Sequence, residues 1–527
     1  MTAESTILNE SKPASAAPEH DASVIAKGAL VNFLGTLAKV IKSTTFILLT
    51  RYFGAEVFGL YILAWSLVDL AAKIGNLALD KGILKFVVVY RSDNDDESVY
   101  RTLGHSLAIG VTLSVLITLL LSALAPTLAE RVFDKPQLTS MFYALALTVP
   151  FLTFTHIVLG AIKSLKIMKF DAYIKSIAEP IFLFSGAAAC FIIGWHFNGI
   201  AIAHLLSAIG GAILSIAAFG HFYSWRQCLN GMKHLRLWTE LTKFSLPVMG
   251  YEFMYILMMR LDAIMVGYFL PAMQVGIYAV AIEIALTTKK VRQWFDPIFT
   301  PIISELNHHG DIDRLGHNFA LVTRWILTIN LAFVFSIILI GEDLLSLFGS
   351  EFAVGFACLV VLSLSQVLYA SMGSGDTLLI MSGHPYLNLL NTAIVVAMNF
   401  GLNLVLIPRF GMIGAAMGTL VSFATLSLIR VIEVYRIQKI HPFRAGLLKP
   451  CVAGLMSFGI TWMVSQWLPE SGLWRALPQV LIYLGVYVGL LRVFGLENEE
   501  RLVLDQIGRK IRQIRHSKQD GGLSIAN

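Results

Sequence analysis

The stretch LGHSLAIGVTLSVLITLLLSALA, residues 103–125, decides the fold class, because it contains no Asp, Glu, Lys or Arg. A helix needs about 20 consecutive apolar residues to cross roughly 30 Å of hydrocarbon, and this stretch is long enough. Similar blocks recur along the chain. They are continuous rather than alternating, which favours helices over the strands of a membrane barrel.

The composition supports the same conclusion. Of 527 residues, 56% are hydrophobic and only 14% are charged, whereas a soluble protein has about 25% charged residues. We therefore predict an all-α polytopic membrane protein and not a soluble enzyme. We place about 14 transmembrane helices near residues 28–50, 57–79, 103–125, 139–161, 177–195, 199–220, 244–268, 273–296, 321–341, 354–380, 387–407, 412–434, 447–468 and 475–494.

Positive charge in the connections predicts the orientation. Most of the 40 Lys and Arg residues fall in segments on one side of the membrane, which the positive-inside rule assigns to the cytoplasm. An even number of spans then places both termini on the cytoplasmic side of a bacterial inner membrane. Residues 1–26 are predicted to be a disordered cytoplasmic tail. Residues 497–527 form a basic cytoplasmic tail, which indicates contact with lipid headgroups rather than with nucleic acid.

The chain also contains an internal repeat. Gly59 and Tyr61 recur as Gly276 and Tyr278, at an offset of 217 residues. The segment FNGIA at 197–201 resembles MIGAA further along the chain, at an offset of 215. Each offset carries six spans onto six others in the same direction, which is typical of a parallel repeat.

The repeat predicts two lobes with a cavity between them. The N-lobe covers residues 27–220 with spans 1–6, and the C-lobe covers 221–434 with spans 7–12. Two extra spans follow at 435–496. Transporters built in this way hold their cargo between the lobes and alternate access by rocking them.

Basic residues within the spans are the candidates for binding an anionic cargo. A charge at the bilayer centre costs roughly 2.5–3.5 kcal/mol, so it should face a wet cavity or a partner. The candidates are Lys39, Lys42, Lys73, Arg260 and Lys290. Other interpretations stay open, because Lys39 and Lys42 could snorkel, Lys73 could pair with Asp69 on its own helix, and Lys290 could be a cytoplasmic anchor.

Acidic residues within the spans are the candidates for ion coupling, namely Asp69, Glu252, Asp262 and Glu283. A carboxylate in such a cavity can bind Na⁺ or hold a proton. The alternative is that these acids only balance the charge of nearby basic residues.

Aromatic and histidine residues give a weaker signal. The tryptophans, Trp65 among them, mostly fit belts at the membrane interfaces. His156 and His204 lie in apolar spans, which favours a packing role for both.

The sequence contains no motif that indicates an enzyme. The chain has no phosphate-binding loop for ATP, no metalloprotease or nucleophile-elbow motif and no pair of closely spaced cysteines. We therefore predict no catalytic residue, no metal and no cofactor. Transport must then be driven by an ion gradient, by the membrane potential or by consumption of the product.

Three motifs resemble a known family. They are TRYFGAEVFGLY at 50–61, LLIMSGHP at 378–385 and NLVLIPRFGMIGAA at 403–416. They are similar to segments of the polysaccharide biosynthesis or O-antigen-type flippases, which belong to the multidrug/oligosaccharidyl-lipid/polysaccharide exporter superfamily. The resemblance implies two bundles of six helices around a central cavity, with two additional helices.

The resemblance also implies a function. Such proteins move an oligosaccharide linked to undecaprenyl diphosphate from the cytoplasmic to the periplasmic leaflet. The resemblance implies membrane lipids and the polysaccharide polymerase machinery as partners. Two alternatives remain, a cation-coupled multidrug exporter and a lipid II flippase. Lys39 and Lys42 argue against the first, since an exporter of organic cations needs an acidic binding lobe.

Overall fold

The computed structural model describes residues 40–231, 238–371, 374–467 and 472–495, and these residues contain helices and no strand. The first half of the chain has α1 (Val40–Asn76), α2 (Leu79–Ser92), α3 (Asp96–Thr127), α4 (Leu138–Ala146), α5 (Thr148–Ser164), α6 (Glu179–Ile193), α7 (Gly199–Phe222) and α8 (Trp225–Gly231). The second half has α9 (Trp238–Phe269), α10 (Ala272–His309), α11 (Ile312–Ser346), α12 (Phe356–Ser371), α13 (Gly375–Met381), α14 (Pro385–Gln438), α15 (Leu448–Ser465) and α16 (Leu473–Val493). The predicted fold class is confirmed.

The helix α1 is in fact a hairpin of two helices. Gly54 has φ 75° and ψ 170°, a left-handed conformation that a residue with a side chain adopts only under strain. The rings of Phe46 and Phe58 lie 4.9 Å apart on either side of it. A straight helix would separate these residues by about 18 Å. The chain therefore reverses at Gly54, between the first and second predicted spans.

The helix α14 reverses in the same way at Gly411, which has φ 60° and ψ −142°. The side-chain amide of Asn391 donates a hydrogen bond to Glu433 over 2.7 Å, although a straight helix would separate them by roughly 60 Å. This hairpin contains the eleventh and twelfth predicted spans.

The number of spans follows only in part from the structure. Ten helical segments in the described part of the chain are long and apolar enough to cross a membrane, and two of these contain the hairpins. The helices α9 and α10 are long enough to cross a membrane, but they contain charged residues and are not among these ten segments. The count of 14 stays a prediction. The predicted tails 1–26 and 497–527 lie outside the described residues, as does most of span one.

Each lobe is a bundle of packed helices, and the extra helices pack on the C-lobe. In the N-lobe, α1 to α7, the helix α6 packs along α7. In the C-lobe, α9 to α14, the helix α12 packs along α14. The helices α15 and α16 cover α11, where the hydroxyl of Tyr487 donates to the backbone oxygen of Thr328 over 3.0 Å. The predicted lobe boundaries stay predictions.

The repeated glycines bring the two lobes into backbone contact. A Cβ on Gly59 would collide with the backbone oxygen of Ala272, and a Cβ on Gly276 would collide with that of Ala55. Ala55 and Ala272 are themselves related by the repeat offset, so the contact is nearly symmetric. We call this contact the glycine crossing. Small residues allow two helix backbones to approach this closely within a membrane.

We expect Gly59→Ala and Gly276→Ala each to destabilise the protein. The added methyl group has a backbone oxygen in its way, and overpacking of this kind costs about 1–3 kcal/mol. Thermal unfolding in detergent should show a lower melting temperature for both variants. Gly459→Ala is a matched control in α15, because nothing lies within 4 Å of the added Cβ. Unchanged melting temperatures for all three variants would contradict a close crossing.

Candidate functional site

A line of polar and aromatic side chains runs along the second half of α1 at intervals of four residues. Tyr61, Trp65, Asp69 and Lys73 share one face, since residues four apart lie above one another on a helix. Tyr61 is buried, whereas the other three are half-buried. Opposite them lies α9 of the C-lobe. The end of the line at Asp69 and Lys73 lies where the two lobes face each other.

The first interlobe ion pair joins Asp69 to Arg260. The Nη2 atom of Arg260 lies 2.9 Å from Oδ2 of Asp69, and its Nε atom donates to the same oxygen over 3.1 Å. The two side chains keep 18% and 30% of their surface exposed. The sequence did not single out this pair, because nothing in it places spans two and seven together.

The second interlobe ion pair joins Lys73 to Glu252, with Nζ and Oε2 separated by 3.5 Å. The spacing of Asp69 and Lys73 also allowed a pair within one helix, but the structure instead pairs each of them across the lobes. Two predicted cargo residues and two predicted coupling acids therefore form one interlobe cluster. We call Asp69, Lys73, Glu252 and Arg260 the charge cluster.

Tyr61 and Trp65 meet a histidine of α7 within the N-lobe. The hydroxyl of Tyr61 lies 2.8 Å from Nδ1 of His204. The imidazole ring lies 4.2 Å from the Trp65 ring, centroid to centroid, with 38° between the planes. Trp65 stands in the middle of its helix rather than at an end, so an interfacial belt does not describe it.

The predicted coupling acid Asp262 lies inside the C-lobe and is only 5% exposed. Its Oδ1 atom accepts a hydrogen bond from Asn403 over 2.8 Å. Its Oδ2 atom accepts one from the hydroxyl of Tyr278 over 2.7 Å and another from Thr419. Asp262 makes no ion pair with any described residue. Within the described part of the chain, its charge is therefore met by neutral donors.

A small, partly open cavity borders Asp262. Three side-chain oxygens lie buried in or beside it without a hydrogen-bond partner: Oε1 of Gln366, Oγ of Ser422 and Oδ1 of Asn403. Gln366 and Ser422 line the cavity itself, together with Asn399. Nothing in the sequence singled out these residues, since single polar residues in apolar spans are common.

The remaining predicted site residues fall outside these clusters. Glu283 and Lys290 on α10 are half-buried and form no ion pair with a described residue. Lys39 lies outside the described residues. Lys42 is within α1, but its side chain also lies outside the described part. No group of three or more His, Cys, Asp or Glu residues that could hold a metal occurs in the described ranges.

Sequence reasoning missed a charge network inside the C-lobe. Arg292 pairs with Asp376 and lies 3.3 Å from Asp296, while Arg430 lies 3.9 Å from Asp376. The Tyr369 ring contacts both guanidinium groups. This network joins α10, α13 and α14 beside the break between α12 and α13, and its charges are balanced. The four-residue spacing of Arg292 and Asp296 was the only signal in the sequence.

Comparison with known proteins places the chain in a family. The family model described as polysaccharide biosynthesis protein matches residues 25–306, which is more than half of the sequence. This chain belongs to that family of multi-pass membrane proteins.

Individual relatives agree with this assignment. Stage V sporulation protein B of Bacillus subtilis is 21% identical over 506 residues, which cover 91% of this chain and 95% of that protein. The probable flippase AglR of Haloferax volcanii is 33% identical over 186 residues, which cover 32% of this chain and 37% of that protein. A solved structure described as lipid II flippase MurJ, inward closed conformation, matches with a TM-score of 0.73 at 14% identity. It covers 88% of this chain and 98% of that one, and at this identity it shows a shared fold alone.

Proposed function

We propose that this chain is a flippase that moves an undecaprenyl-diphosphate-linked oligosaccharide from the cytoplasmic to the periplasmic leaflet of a bacterial inner membrane. The observation that carries the proposal is the charge cluster, which places the cations of Arg260 and Lys73 between the lobes. A guanidinium and an ammonium group are the donors that bind a diphosphate strongly at a site shielded from water. The family and the names of its relatives support the same class of cargo.

The charge cluster suggests how cargo entry is tied to movement of the lobes. Without cargo, Arg260 and Lys73 are neutralised by Asp69 and Glu252 of the opposite lobes. A diphosphate competes with both carboxylates, because it offers more charge and more acceptor oxygens than either of them. Binding of the diphosphate would break both ion pairs between the lobes at once. A ligand shifts a conformational equilibrium only through such a difference in contacts between the two states.

The positions of the two interlobe contacts fit alternating access. Asp69 lies ten residues beyond Gly59, which is about 15 Å along the helix. In the orientation predicted from positive charge, the glycine crossing lies toward the periplasm and the charge cluster toward the cytoplasm. Opening the cluster would admit cargo from inside, and separating the crossing would release it outside.

We further propose that Asp262 carries the coupling cation, which is transported rather than permanently bound. A buried carboxylate without a basic partner is costly in a membrane, so a proton or Na⁺ entering the site would be stabilised there. The polar groups around it supply side-chain oxygens, among them those of Asn399, Gln366 and Thr419, and hard cations prefer oxygen ligands. Because Asp69 and Glu252 are held in ion pairs, we assign them to the cargo site. Glu283 remains a second candidate for coupling.

Transport by the purified protein tests the cargo. Proteoliposomes should move a fluorescent undecaprenyl-diphosphate oligosaccharide between leaflets, and empty liposomes should not. In cells, we expect the gene to restore surface glycan in a strain that lacks its own glycan flippase. Rescue of a strain lacking its lipid II flippase would favour that alternative instead. Drug resistance on expression without any glycan phenotype would contradict the proposal and favour a multidrug exporter.

A further inference from the structure

The N-lobe aromatic pair of Trp65 and His204 has no role in the function proposed so far. We infer that this pair is the subsite for the sugar ring attached directly to the diphosphate. The inference rests on the proposed function, because it assumes that a diphosphate binds at Arg260 and Lys73. It assigns the lipid-linked sugar to the N-lobe and the coupling cation to the C-lobe.

The internal repeat shows that the pair is specific to one lobe. Tyr61 and Tyr278 are equivalent at the offset of 217, and each hydrogen-bonds a polar group inside its own lobe. In the C-lobe that group is Asp262, which also accepts a bond from Thr419. At the offset of 215, the equivalent of Thr419 in the N-lobe is His204. The shared tyrosine thus supports a carboxylate in one lobe and an imidazole in the other.

The aromatic partner differs in the same way. The C-lobe equivalent of Trp65 is Ile282 at the offset of 217, which lines the cavity beside Asp262. An isoleucine offers no flat face and no hydrogen-bonding group. The two lobes therefore share the tyrosine, but at the position of Trp65 the C-lobe carries an aliphatic side chain.

The distance to the charge cluster suits a sugar diphosphate. Trp65 lies one helical turn from Asp69, or about 6 Å along the axis, and Asp69 holds Arg260. A sugar ring bonded to a diphosphate at Arg260 would therefore lie at the level of Trp65. Trp65 and His204 are both half-buried, so each side chain keeps part of its surface exposed.

The chemistry of the pair suits a pyranose ring. One face of a pyranose carries C–H groups that pack against the flat indole, and its hydroxyls need hydrogen-bond partners at the edge. The bond from Tyr61 to Nδ1 fixes the orientation of His204. Its other ring nitrogen, Nε2, then forms a hydrogen bond with a sugar hydroxyl. Aromatic rings combined with a few oriented polar groups are typical of small-molecule sites.

Binding of two defined lipids tests the inference. Undecaprenyl diphosphate and undecaprenyl diphosphate carrying one N-acetylhexosamine would be titrated against the purified full-length protein by native mass spectrometry. We expect the wild type to bind the sugar-bearing lipid about tenfold more tightly, as a stacked aromatic contact with one hydrogen bond allows. Trp65→Ala should remove this preference and leave the affinity for undecaprenyl diphosphate unchanged within about twofold.

Further variants keep the test informative. Trp65→Phe retains a flat ring and should keep part of the preference, which a folding defect would not explain. Trp467→Ala is the matched control, since Trp467 lies just beyond the end of α15 and is 90% exposed, and it should behave as the wild type. Equal weakening of both lipids by Trp65→Ala would overturn the inference, because Trp65 would then act through packing.

The outcomes for the wild type separate the inference from the proposed function. Tight binding of undecaprenyl diphosphate without any preference for the sugar overturns the sugar subsite and leaves the proposed function standing. Failure to bind either lipid overturns the proposed function, and the inference falls with it. A preference that His204→Gln reduces and Trp65→Phe partly retains supports the subsite.

Discussion

Replacing Arg260 by alanine should reduce flipping of the lipid-linked glycan about 10- to 100-fold, because a hydrogen bond to a charged group contributes about 1.5–3 kcal/mol. The side chain lies between the lobes and is held by Asp69 across the interface. Arg260→Lys should retain more activity than Arg260→Ala. The rate of transfer between leaflets in proteoliposomes measures this directly, with the amount of inserted protein determined in parallel.

A structural role for Arg260 predicts a different pattern. Removing one partner of a half-buried pair leaves the other charge uncompensated, and this alone can destabilise a membrane protein. The double variant Asp69→Asn with Arg260→Gln removes both charges and keeps similar shapes. If this variant is stable and transports normally, the cation does not contact the cargo. If it is stable and inactive, the cation is needed for the cargo itself.

Replacing Asp262 by asparagine should abolish the stimulation of transport by an imposed cation gradient. We expect this stimulation to fall at least about tenfold, because the variant has no charge to stabilise the cation. Asparagine is nearly the same size and can still accept a hydrogen bond from Tyr278 or Thr419, but it cannot carry the charge that attracts a cation. Transport in proteoliposomes with imposed Na⁺ or H⁺ gradients measures the effect. The gradient that stimulates the wild type identifies the ion.

Glu283→Gln is the matched control for Asp262→Asn, because it neutralises another acid within the C-lobe spans. We expect it to leave gradient stimulation largely intact, since Glu283 belongs to neither the cavity beside Asp262 nor the charge cluster. The reverse result, with Glu283→Gln insensitive to gradients and Asp262→Asn normal, would move the coupling site to Glu283. A wild type that ignores both gradients would show that transport is not cation-coupled.

The sequence predicted the fold class well because its signals are local. A membrane-spanning helix must satisfy its backbone within one continuous segment, so a run such as residues 103–125 is sufficient to identify it. The repeat of Gly59 and Tyr61 at Gly276 and Tyr278 was also visible in the sequence, and the structure shows why these glycines recur. They lie opposite each other where the lobes touch.

The candidate site was predicted only in part. The basic and acidic residues within the spans stood out, because a charge in an apolar segment is unusual. The partners of these charged residues could not be predicted from the sequence. Asp69 and Lys73 suggested a pair on one helix, but the partners come from α9, almost 200 residues away. His204, Gln366 and Ser422 gave no usable signal, since their importance depends on which residues face them.

What the sequence by itself determined was therefore the class of protein, the repeated lobes and the set of charged residues in the spans. These follow from the cost of placing polar groups in hydrocarbon, which each segment reveals on its own. Only the tertiary structure decided that Asp69 pairs with Arg260, that Asp262 has no basic partner among the described residues and that Trp65 faces His204. Such relations depend on how helices far apart in sequence pack together, because side-chain distances across an interface are set by the fold and not by spacing along the chain.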